Sequence, residues 1–159
     1  MTRPIREGLT GLFAETVQLQ DVLEVDLRRP PYELDGLFDP DFPLPFDPDS
    51  GIRSVTLRRL RVSFGRSQRR IIFEATPDGN PSDLRPFLTE VLPAATYPRA
   101  NLHITDAEFG VTYRPSDRLR DKTFRFKVAY PDTCSLKSKP DDQRRLGEAC
   151  LRRWGIARD

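Results

Sequence analysis

Two stretches of this chain carry the same broken alternation, and the break limits what it can fold into. Between Ile52 and Phe64, apolar residues fall at Val55 and Leu57, miss one beat, and resume at Leu60, Val62 and Phe64. The pattern returns 47 residues later at Leu102 and Ile104, then Ala107, Phe109 and Val111. Alternation with period two marks half-buried strands. A phase change inside a strand turns half of its apolar side chains to water unless one extra residue is inserted. Each copy is therefore predicted to contain a β-bulge, near Arg58 and Arg59 in the first and near Thr105 and Asp106 in the second.

The elements after each bulged strand are repeated too. A turn at Gly65 to Gln68 leads to a strand at Arg70 to Thr76 with Ile71, Phe73 and Ala75 on one face. Pro77, Asp78, Gly79 and Asn80 end it, and a helix comes next with Ser82 as N-cap and Pro86 in the tolerated first turn. Leu84, Phe87, Leu88, Val91 and Leu92 form its apolar stripe. In the second copy Thr123 to Tyr130 places Phe124, Phe126 and Val128 inward, and a helix opened by Pro140 carries Leu146, Cys150, Leu151 and Trp154 up to Gly155. Phe87 and Trp154 are accordingly predicted core residues.

Neither ββα half buries much alone, whereas the pair together closes a core. The fold class expected is α+β: a mostly antiparallel sheet built from two similar ββα units, with the helices packed on one face. One domain over 1–159 is expected, divided into an N-terminal segment (1–51), a first unit (52–97) and a second unit (98–159). Within the first of these, Ile5, Leu9, Leu12, Phe13 and Val17 have helical spacing, and Leu23, Val25 and Leu27 alternate as a strand ending at Pro30 and Pro31.

Between that strand and the first bulge lies a Pro-rich stretch in which no helix or central strand survives. It contains six acids from Pro30 to Ile52 and no base, with Phe38, Phe42 and Phe46 set among the prolines. A disordered linker is poor in aromatics. The segment is therefore expected to dock, with these three phenylalanines as anchors, either on the chain's own body near Arg59, Arg61 or Arg70, or on a partner.

Chemistry-bearing motifs are scarce. The chain holds one histidine, His103, and two cysteines sixteen residues apart, Cys134 and Cys150. Neither a local zinc-ligand set nor a nucleophilic triad can be assembled from them. His103, Asp106 and Glu108 read as an exposed polar strip on one strand face. Asp47, Asp49 and Gly51 resemble the start of a calcium loop but lack its later ligands, and Asp-Pro turn chemistry accounts for them. No catalytic residue, metal or cofactor is expected, and the chain is read as non-enzymatic. With no apolar h-region and no long apolar run, it is expected to be cytoplasmic and not membrane-bound.

Charge is balanced overall at +2 but unevenly placed, with seven arginines and no acid from Arg53 to Arg70. The strand phases put Arg59, Arg61, Arg70, Arg125 and Lys127 on the sheet face opposite the helices, making that face basic. Most such runs are solvated faces with intrachain ion pairs. The function expected is that of an interaction or accessory module binding a protein partner through the open sheet face, a strand edge, or the acidic Pro-rich segment. The alternative is nucleic-acid binding, the arginines gripping the phosphate backbone. The inward phase of the aromatics counts against RNA stacking.

Overall fold

The computed structural model describes residues 30–65, 69–75, 83–92, 98–117 and 119–158. The helix and strand expected within the first 29 residues, and the N-cap expected at Ser82, lie outside the described residues. Pro31 to Asp159 form one compact unit, of α+β class. Its sheet has five antiparallel strands in the order β2-β1-β3-β4-β5, with β1 at Ile52–Phe64, β2 at Arg70–Glu74, β3 at Leu102–Tyr113, β4 at Lys122–Ala129 and β5 at Thr133–Cys134. Among the described residues two helices accompany it, α1 at Arg85–Val91 and α2 at Asp141–Arg153. Among the described residues no helix is long and apolar enough to cross a membrane.

The ladder between β1 and β3 slips where the alternation breaks. Leu57 opposes Phe109 and Arg59 opposes Glu108, leaving Arg58 as the extra residue. Further along, Arg61 opposes Asp106 and Val62 opposes Ile104, leaving Thr105 over. The two extra residues stand 47 apart, and so do Leu60 and Ala107, which face each other midway between the slips. Each extra residue still has its carbonyl satisfied. Arg58 accepts from the N–H of Ala75 at 2.8 Å and Thr105 from that of Tyr130 at 3.0 Å, just past the ends of β2 and β4. The bulges thus preserve the apolar phase and also tie down the neighbouring strands.

Because the phase is preserved, one lateral row, Phe73, Leu60, Ala107, Val128 and Cys134, runs across all five strands and is buried throughout. Both helices pack on this side. The Trp154 ring lies 4.9 Å from that of Phe109 and is stacked near Phe126, while Phe87 meets Phe73 edge-on. Asp141 and Asp142 in the first turn of α2, and Arg152 and Arg153 in its last, suit the helix dipole. Gly147 is required where α2 crosses the fully buried Leu136, since any Cβ there would collide with that side chain. Gly155, at φ +68°, ends the helix in the left-handed region that glycine adopts without strain.

The apolar stripe of α1 is narrower than its sequence suggests. Leu84, Leu88 and Leu92 are buried, but Phe87 is 48% exposed and Val91 38%. Its burial is carried by Leu84, Leu88 and Leu92, spaced i, i+4, i+8, and the helix also contacts the 3-10 turn Asp35–Phe38 of the Pro-rich segment. Phe87 is therefore not the core residue its spacing predicts. We expect Trp154→Ala to cost about 3–5 kcal/mol and Phe87→Ala about 1 kcal/mol or less, read by urea melts followed by circular dichroism. Comparable losses would mean that α1 seats on its Phe87 flank.

Candidate interaction surfaces

Three surfaces bear on what this chain can bind: the Pro-rich segment, the sheet face opposite the helices, and the edge strand β2. The segment lies along the chain's own body. At its start the N–H of Glu33 donates to Ile156 at 2.8 Å, Tyr32 bridges to Ala157, and the Glu33 carboxylate pairs with Arg158 at 2.6 Å. Phe38 is buried among core residues, and Phe42, Leu44 and Phe46 are half-buried against them, every second residue pointing inward. The Trp154 indole donates to the Pro45 carbonyl at 2.9 Å, and the Arg85 guanidinium donates to that of Phe42. The Arg99 guanidinium lies 4.8 Å above the Phe38 ring. Phe38, Phe42 and Phe46 thus all pack against the chain's own core residues.

The acids of the segment do not pair with Arg59, Arg61 or Arg70, the arginines expected to receive them. The segment packs on the helix side of the sheet, and those arginines face the other way. Asp35 instead bonds β3 beside its bulge, accepting from the Ile104 N–H at 2.8 Å and lying 3.1 Å from His103 Nδ1. The β3–β4 ladder runs only as far as Asp106 and Ala129, so this N–H lies beyond it, and the carboxylate supplies the acceptor. Asp47 accepts from the Asp49 N–H at 3.0 Å, an Asx turn. Among the described residues no group of three or more potential ligands is close enough to hold a metal ion.

On the opposite sheet face, register places Arg59, Arg61, Arg70, Arg125 and Lys127 together, interleaved with acids. Glu74, Arg59, Glu108 and Lys127 form one lateral row, and Ile72, Arg61, Asp106 and Ala129 the next. Lys127 Nζ contacts Asp106 Oδ2, with Arg61 3.8 Å from the same oxygen, and Arg125 stands 3.9 Å from Glu108. Asp106 is only 1% exposed, so it does not belong to the exposed strip expected of His103, Asp106 and Glu108. His103 instead pairs with Asp35. Neither Asp106 oxygen has a directional hydrogen bond, and its charge is balanced by the two cations beside it. No phenylalanine, tyrosine or tryptophan of the described strands lies on this face.

The third surface has a fainter signature in the sequence. Among the described residues β2 has a strand neighbour on one side only. Its Ile72 is 48% exposed on the charged face, and Ile71 is 37% exposed on the helix side, where Phe87 and Val91 also stand open to solvent. The sequence signal is the isoleucine pair itself: consecutive isoleucines in a five-residue strand cannot both face one core. An edge strand with free backbone groups and exposed apolar side chains is a template for another chain.

Breaking the buried ion pair on the charged face should be felt. Lys127→Met leaves Asp106 with Arg61 alone and should destabilise by about 1–3 kcal/mol, whereas Arg125→Met, beside the better-solvated Glu108, should cost about 0–1 kcal/mol. Adding Asp106→Asn should recover much of the first loss, as measured by urea melts of the single and double variants. Equal, small losses at both positions would show that Lys127 is not what balances Asp106. Comparisons with known protein families, with curated proteins and with solved structures find no match for this chain.

Proposed function

We propose that this chain is a non-enzymatic interaction module whose protein partner docks at the open edge of β2. The observation that carries the proposal is the grouping of Ile71, Ile72, Phe87 and Val91, each more than a third exposed, on and beside a strand that among the described residues is paired along one side only. A partner strand added there would gain main-chain hydrogen bonds, with the isoleucines and Phe87 supplying the apolar contact. A cytoplasmic setting belongs to the same proposal. It is supported by two buried, unpaired thiols, of which that of Cys150 is pushed up to about 11 by burial and stays protonated at neutral pH. The chain is also read as two related ββα halves, in keeping with the equal spacing of bulges and facing pair.

The alternative, phosphate-backbone binding through the arginine-bearing face, has less support. Three acids are interleaved with the five bases, and Asp106 and Glu108 lie within ion-pair range of three of them. A surface so neutralised has fewer free cations with which to displace counterions. Two measurements separate the readings. Affinity purification of the full chain from its native host should retain a protein, whether a second copy or another sequence, that is lost with Ile72→Lys and with Phe87→Ser. Anisotropy with single-stranded nucleic acid should show no binding that weakens steeply between about 50 and about 200 mM salt. Retained proteins indifferent to both substitutions, together with steep salt dependence, would favour the alternative.

A further inference from the structure

β2 reads Arg70, Ile71, Ile72, Phe73, Glu74, and reversing it end for end exchanges the two charges about an apolar centre. Its free backbone groups are identifiable. The N–H of Ala75 donates to Arg58 and the carbonyl of Arg69 accepts from Phe64, so the odd-numbered residues direct their N–H and C=O groups at β1. Backbone groups alternate sides along a strand, which leaves those of Arg70, Ile72 and Glu74 facing outward. The side chains of these three residues share the face opposite the helices. Neither Arg70 nor Glu74 has an ion-pair partner among the described residues.

We infer that the occupant of this edge is a second copy of the chain, with β2 pairing antiparallel to β2 about a two-fold axis through Ile72. The inference rests on the reading that the edge is the binding site. In this register Ile72 faces its own counterpart, and each Arg70 faces Glu74 of the partner subunit, all at positions where facing residues exchange two backbone hydrogen bonds. The charge pairs flank the isoleucine contact, the arrangement that favours cross-strand neighbours. On the helix side Ile71 is opposite Phe73 of the partner subunit, with Phe87 and Val91 exposed alongside. Sliding either strand by two residues sets a charge against isoleucine and leaves one outward residue unpaired. Charge and hydrogen bonding therefore select a single register, and that register is its own two-fold image, as an isologous interface requires. Five residues per strand make a small interface, so association depends on concentration in the accessible range.

Sedimentation equilibrium of the full chain over a dilution series tests this. The mass should rise from 18.3 kDa toward twice that value as concentration increases. Arg70→Glu and Glu74→Arg should each hold the chain at the monomer mass throughout, with unchanged circular dichroism, because each sets like charges face to face. Mixing the two variants should restore the dimer, since every facing pair is then opposite in charge. A wild-type chain monomeric at every concentration overturns the inference, as does a dimer indifferent to both substitutions. If the wild type is monomeric yet Ile72→Lys still removes a co-purifying protein of different sequence, self-pairing fails and the edge reading stands. If that substitution removes nothing, the edge reading fails as well.

Discussion

The long antiparallel pairing of β1 with β3 is the constraint on which the rest of the structure depends. It brings the two halves of the sequence into register, with Leu60 against Ala107 and an extra residue on either side of that pair. Without the bulges at Arg58 and Thr105, the apolar sets at either end of each strand would point to opposite faces. With them, one face is apolar enough to seat both helices and the Pro-rich segment. The carbonyls at the bulges reach the ends of β2 and β4, and a backbone donor beside Thr105 is taken by Asp35. The same two irregularities thus organise the core and the outer strands.

The charges obey the same pairing. Arg59 and Arg61 of β1 occupy positions matched, 47 residues on, by Asp106 and Glu108 of β3, and the register sets Arg59 opposite Glu108 and Arg61 opposite Asp106. A run of arginines that looks like a phosphate-binding surface in one dimension becomes half of a charge-complementary strand pair in three. Asp106 is the extreme case, a carboxylate almost wholly buried with Lys127 and Arg61 beside it. A slipped ladder would part that buried charge from its cations.

Much of this was legible in the sequence because it depends on local periodicity. The boundaries of β1 and β3, the two slips that flank Leu60 (though not the third, between Ile52 and Ser54), the inward phase of Phe124, Phe126 and Val128, and the burial of Trp154 come from alternation and helical spacing. What was not legible depends on contacts between distant segments. The exposure of Phe87 could not be read from a stripe that looks continuous, because the width of helix buried depends on what else reaches α1, here the turn at Asp35–Phe38. The ion pairs of the acidic segment are illegible for a related reason. Charge complementarity alone points to the arginines of β1 and β2, while apolar anchoring carries the segment to the other side of the sheet.

Among the described residues, the edge of β2 leaves hydrogen-bonding capacity and apolar surface open together. Amide hydrogen exchange reports on it directly, with an internal control in the same strand. The N–H groups of Ile71 and Phe73 point at β1 and should be protected at any concentration. Those of Arg70, Ile72 and Glu74 should exchange rapidly in dilute solution and become protected as concentration rises, in step with the formation of a β2-to-β2 ladder. Rapid exchange of these three amides at every concentration would contradict the account, and so would protection already complete in the dilute monomer.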